Sequence, residues 1–285
     1  MTTASGLQLQ FADDFNREYG PPDHFDMTRW AKWKGDVRTE NGRGILTTTP
    51  PGDIGLAGII TRDQHGNPGL AGSNGVEVTL VEFTDRGDDS EEAAKTGESR
   101  LVQAWGLTLG SVQGFLGNEK KNERAVQLHF DLIRPNGLFV YLVRGLVPED
   151  FDKYPKDGYT PGGPTHLSDE ERRDLHEQLV DRGEVFISAP CLQLIGKVFR
   201  SEPEIQEFLG HHRWGLYLTD DANTVYWTLD GREMDRVDIA GYFDSHPNSV
   251  RDGAYLTLSG VGNGVWKIDD VAILASPLDA EELRP

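Results

Sequence analysis

Hydrophobic and polar positions alternate with a period of two along much of this chain, and the clearest instance is the run from Ala125 to Ile133. Val126, Leu128, Phe130 and Leu132 fall on one side, and Gln127, His129 and Asp131 on the other. Such alternation predicts a half-buried β-strand. The run enters Pro135-Asn136-Gly137, a turn sequence, and continues into Leu138–Arg144, which predicts a hairpin. Tyr141 and Arg144 differ in parity on that return strand, so at most one of them reaches the face of His129.

Similar runs recur at short spacing. A strand over 7–15 is followed by a loop anchored by Trp30 and Trp33, then by a hairpin over 37–49 turning at Asn41-Gly42. Further strands are predicted at 54–61, 75–84 and 101–109, the last with Gln103 and Trp105 on one face. Acidic and small residues over 85–99 predict a surface loop. The last third adds strands at 213–218, 224–229, 232–234, 254–259 and 265–274, with Asp230-Gly231 as a second hairpin turn. The segment 148–210 breaks the pattern. It holds a Pro/Gly-rich stretch, a helix over 168–182 opened by Ser168-Asp169-Glu170-Glu171, a strand-like piece over 184–194, and a short helix starting at Ser201-Glu202-Pro203. The expected architecture is all-β, a single antiparallel β-sandwich domain over 1–285, with 148–210 as an insertion that is a candidate lid or a cover for a sheet edge.

The 285 residues suffice for a sizeable core. A net charge of −19 argues against nucleic acid or an anionic membrane as partner and leaves a glycan or a small molecule. Cys191 is the sole cysteine, which excludes an intramolecular disulfide and a cysteine metal cluster. With neither a basic-apolar leader nor a long apolar run in the sequence as given, a cytoplasmic location is expected; a trimmed secreted form would read alike. Oligomeric state is not legible.

Several motifs in order resemble the concanavalin A-like lectin/glucanase superfamily, and within it the laminarinase and lichenase type of glycoside hydrolase. They are Phe11-Ala12-Asp13-Asp14-Phe15 with Asp26-Met27-Thr28-Arg29-Trp30, then Gly58-Ile59-Ile60-Thr61, His212–Tyr217 with Val225–Gly231, and Ile268-Asp269-Asp270-Val271. The resemblance implies a two-sheet jelly roll whose concave face binds an extended ligand, with Asp14 and Asp269 at positions that hold a structural calcium in that superfamily. No other cofactor is expected. It also implies a Glu-x-Asp-x-Glu strand, and here the sequence departs, because the matching positions read Gln127-Leu128-His129-Phe130-Asp131. An amide cannot replace a carboxylate nucleophile, so two-carboxylate hydrolysis is not expected. His129 and Asp131 remain as an acid/base element, with Gln127, Gln103, Trp105 and Arg144 as candidate ligand-binding groups. The same residues also fit the solvated face of an ordinary antiparallel sheet.

Overall fold

The computed structural model describes residues 7–17, 26–34, 36–47, 55–62, 73–84, 100–110, 124–134, 137–147, 149–153, 174, 177–178, 182, 186–188, 191–244, 254–260 and 265–275. Their strands form two antiparallel sheets. The first contains, in spatial order, β14 (Arg232–Asp238), β13 (Thr224–Leu229), β12 (His212–Leu218), β6 (Ser73–Thr84), β16 (Val265–Ala275), β4 (Arg43–Thr47) and β3 (Asp36–Glu40), with β1 (Gln8–Asp13) also pairing β16. The second runs β10 (Phe186–Ser188), β11 (Cys191–Phe199), β9 (Gly137–Gly145), β8 (Ala125–Arg134), β7 (Arg100–Gly110), β15 (Ala254–Gly260), β5 (Gly55–Thr61) and β2 (Trp30–Lys34). This is the β-sandwich that the alternation predicts.

Two of the hairpins turn where expected. Asn41 and Gly42 have φ of 53° and 69°, and Asp230 and Gly231 have 51° and 76°. Paired positive φ values match the right-handed twist of the flanking strands, and Asn, Asp and Gly adopt them at least cost. The core lies between the sheets. Leu128, Phe130, Leu132, Val140 and Leu142 meet Val78, Leu80, Trp214, Leu216 and Trp227 in one buried cluster. Phe130 packs edge-on to Trp214 with ring centroids 4.8 Å apart, and Trp214 stacks on Trp227 at 5.8 Å. Burying each such side chain stabilises the fold by about 1.5–3 kcal/mol.

Trp30 closes one end of this core. Its ring contacts Phe11 and Phe15, and its indole N–H donates to Asp13 Oδ2 at 2.7 Å, joining β2 of the second sheet to β1 of the first. Arg29 pairs with the same carboxylate at 3.1 Å and lies over the Phe11 ring.

Within 148–210, the described residues include α1 (Asp150–Lys153), β10, β11 and α2 (Glu202–Phe208). The strand-like piece is sheet: β11 pairs with β9 along its length and continues to Phe199 past a bulge between Gln193 and Ile195. Ser201 caps α2 with a reciprocal capping box to Glu204. Of the helix predicted over 168–182, Asp174, Glu177 and Gln178 are helical, Arg182 is in a turn with its N–H donating to the Gln178 carbonyl, and the remainder is outside the described residues, as is the 85–99 loop.

Candidate functional site

The face of β8 turned away from the core carries a continuous hydrogen-bonded chain. His129 Nε2 lies 2.9 Å from Asp131 Oδ1, and His129 Nδ1 lies 2.8 Å from Gln127 Oε1. Residues two apart on a strand are about 7 Å apart at Cα, so the side chains lean toward each other to meet. The Gln127 amide donates to Thr108 Oγ1 at 2.9 Å, and the Tyr141 hydroxyl donates to Asp131 Oδ2 at 2.5 Å.

Register explains how three strands supply this set. His129 is directly opposite Tyr141 of β9 and Gly106 of β7, while Gln127 is opposite Val143 and Thr108. The Tyr141 ring stacks on the imidazole, centroids 5.6 Å apart and planes 12° from parallel. Gly106 makes room for the amide: a Cβ there would sit 2.6 Å from Gln127 Cδ and Nε2. Gln127 is only 4% exposed, whereas His129 and Asp131 are partly open.

With the amide in this orientation both imidazole nitrogens face oxygen atoms, Nδ1 the Gln127 carbonyl and Nε2 the Asp131 carboxylate. Asp131 is engaged at both oxygens, by the imidazole at Oδ1 and by the Tyr141 hydroxyl at Oδ2. The arrangement can store and pass protons among a carboxylate, an imidazole and a phenol. Among positions 127, 129 and 131 Asp131 is the sole carboxylate, so the pair spaced about 5 Å that retaining glycoside cleavage uses is not formed by this strand.

The other sequence candidates are placed as follows. The side chains of Gln103 and Trp105 are outside the described residues; the backbone register pairs Gln103 with Leu132 and Trp105 with Phe130, both core-facing positions of β8. Arg144 was expected toward His129 but is opposite Val126, on the core-facing side of β9. There its guanidinium makes two bonds to Asp150, at 2.6 and 2.8 Å, and lies over the Tyr242 ring at 4.9 Å. A shift of one residue in parity moves a strand side chain to the opposite face. Tyr141, the alternative on that strand, is the residue that joins the set. Thr108 and Gly106 were not anticipated, because cross-strand neighbours depend on a register that alternation alone does not fix.

Asp14 is exposed and accepts a hydrogen bond from the Asn16 amide N–H at 3.2 Å; hydrogen bonding to Asn16 holds its carboxyl below the usual range. Asp269 lies in β16 and is partly exposed. Among the described residues no group of three or more His, Cys, Asp or Glu side chains is placed to hold a metal ion. His212 contacts Asp230 Oδ2 and the Glu207 carbonyl, each at 2.7 Å, tying the end of α2 to the β13–β14 turn.

On the first sheet's outer face a second polar cluster is internally satisfied. Arg213 pairs with Glu77 at 2.5 Å and Tyr217 donates to the same carboxylate. Burial, reinforced by Glu77, pushes the Tyr217 phenol far above its ordinary value.

Solved structures share this layout. The laminarinase catalytic domain of Thermotoga maritima MSB8 is 11% identical, with 94% of this chain and 98% of that one covered and a TM-score of 0.50. The catalytic domain of an endo-1,3-β-glucanase from Thermotoga petrophila RKU-1 is 12% identical, at 95% and 98% coverage and a TM-score of 0.50. The fold is the concanavalin A-like jelly roll. SCLam, a non-specific endo-β-1,3(4)-glucanase from family GH16, matches this jelly roll at 13% identity, 97% and 93% coverage and a TM-score of 0.50. No protein-family model matches the sequence, and no curated protein does.

Proposed function

We propose that this jelly roll engages a carbohydrate on the outer face of its second sheet, and that His129, Asp131 and Tyr141 carry out proton transfer on the bound ligand. The observation that carries the reading is the chain Gln127–His129–Asp131–Tyr141, partly open at its centre and buried at its ends. The glucan-cleaving proteins that share the fold support a glycan as the ligand. Gln127 and His129 stand where the resemblance implies carboxylates, so the chemistry assigned is acid–base: one proton removed and one delivered, without a covalent glycosyl-enzyme.

A second reading has its own observation. Phe139, Tyr141 and Val143 project from the outer face of β9 yet are no more than 2% exposed, as is Gln193 of β11. A face covered at these positions favours a small, largely apolar ligand acted on by the same groups in an isomerisation, cyclisation or elimination.

One screen separates the two. Glucan oligomers and apolar metabolites are tested by thermal shift on wild type, His129→Ala and Asp131→Asn. A ligand at a hundredfold its Kd raises stability by about 2.7 kcal/mol. A shift with glucans that both variants lose supports the first reading, and a shift confined to apolar metabolites replaces it with the second. Glucan binding that both variants retain places the ligand elsewhere and removes the His129 face from consideration.

A further inference from the structure

Gln193 of β11 is a buried polar side chain that the fold itself does not account for. It is 1% exposed, and its Nε2 has no hydrogen-bond partner among the described residues. A buried, unpaired amide N–H costs stability that an apolar side chain of similar shape does not. Native proteins satisfy the large majority of such groups, so an exception calls for a cause.

Its position supplies one. Gln193 is opposite Val143 of β9, which is in turn opposite Gln127 of β8, and Gln127 is opposite Thr108 of β7. Direct partners across an antiparallel ladder share a face, so these four residues form one row on the face that carries His129. The next row holds Gly196, Tyr141, His129 and Gly106. Two strand spacings separate Gln193 from Gln127, about 10 Å at Cα, and one step along the strands puts His129 at about 12 Å.

The β11 bulge sets this arrangement. In unbroken register Ile195 would stand beside Tyr141. The unpaired residue, Leu194, joins the core instead, Ile195 packs against that core, and Gly196 takes the place beside Tyr141. The bulge thus leaves a polar amide and a glycine as neighbours on the outer face, where simple alternation would have set an isoleucine.

We infer that Gln193 binds the ligand of the His129 face, its amide N–H donating to a hydroxyl oxygen of the carbohydrate. The assignment rests on the carbohydrate reading of that face and extends it, since binding then spans β8 to β11 and the ligand completes the unpaired amide. Entry is from the side of His129 and Asp131, whose side chains are 20% and 15% exposed. A wholly apolar ligand would leave the amide unpaired, so Gln193 selects for a hydroxylated one.

The test is Gln193→Met in the full chain, which keeps the length of the side chain and removes its amide. Two readouts should move in opposite senses. Without ligand, Tm should rise by roughly 2 °C or more, because an unpaired buried donor is gone. In calorimetric titration with β-1,3-glucan oligomers, Kd should rise about five- to tenfold, the loss of one hydrogen bond. Gln193→Leu repeats both readouts with a different shape, so a packing fault peculiar to methionine does not decide the result. A lower Tm in both variants shows that the amide has a structural partner and overturns the inference, whatever happens to the affinity. Glucan binding that His129→Ala loses and both Gln193 variants keep at unchanged Kd overturns it too, and leaves the carbohydrate reading standing. Wild type that binds no glucan overturns both, a failure seen before any variant is made.

Discussion

At the residue scale, the position that most sharply tests the site's construction is Gly106, which contributes no side chain to it. The Gln127 amide lies where a Gly106 Cβ would be, 2.6 Å from Cδ and Nε2, and Gln127 is buried and held at both ends by Thr108 and His129. Gly106→Ala therefore overpacks a region with no free volume, at a cost of about 1–3 kcal/mol, and displaces the amide from His129 Nδ1. Gln127→Ala alone leaves buried polar groups short of a partner, a further ~1–3 kcal/mol. In the double variant the new methyl occupies space the amide has vacated. Its destabilisation in thermal or urea unfolding should fall at least ~1 kcal/mol short of the sum of the singles. Additive costs would mean that Gly106 does not make room for Gln127. Alternation made Gln127, His129 and Asp131 readable as one face from sequence, since period two needs no knowledge of neighbours. Gly106 and Thr108 were hidden because they join through registers that also contain irregularities, including the β7 bulge between Leu101 and Gln103, while Tyr141 was legible as one of two alternatives on the return strand. Arg144 shows the same limit, being one residue of parity from the face expected for it.

At the scale of elements, hairpins were legible where local chemistry dictates the turn, as at Asn41-Gly42 and Asp230-Gly231. The full span of β11 was not, because its bulge interrupts the alternation and its pairing is with β9, some fifty residues earlier in the chain. The junction of β9 and α1 rests on a different kind of contact. Asp150 accepts two bonds from Arg144 and one from the Val147 N–H, with both charged side chains largely withdrawn from water. Removing one partner leaves a buried charge uncompensated, whereas removing both with apolar replacements often costs little. Asp150→Ala should thus destabilise by about 3–5 kcal/mol, and Arg144→Met/Asp150→Ala by much less, as read from urea midpoints at constant m. If the double variant is as unstable as Asp150→Ala, the pair matters through Asp150's bond to Val147 rather than through charge compensation.

For the whole molecule, the net charge of −19 is the property read most directly from composition, and it has a consequence opposite in sign to that of the visible ion pairs. Pairs such as Lys267–Glu82 and Arg236–Glu233 are on the surface, where each contributes little and weakens as salt is added. The excess of 47 acidic over 28 basic residues acts the other way: compaction brings like charges together, and salt relieves the repulsion. Raising ionic strength from ~0.01 M to ~0.1 M shortens the screening length from about 30 Å to about 10 Å, so repulsion across the molecule is largely removed. Contacts of 2.6–2.7 Å between paired groups are much shorter than either length and lose less. Repulsion should therefore dominate the response, and Tm at neutral pH should rise over this range by ~2 °C or more, the shift that about 1 kcal/mol produces in a domain of this size. A scanning-calorimetry series in sodium chloride below ~0.15 M checks it while keeping to concentrations where screening is the main effect of the salt. A falling Tm would mean that local pairing outweighs the net charge, and that the acidic groups are spread widely enough for the folded chain to carry −19 at little cost.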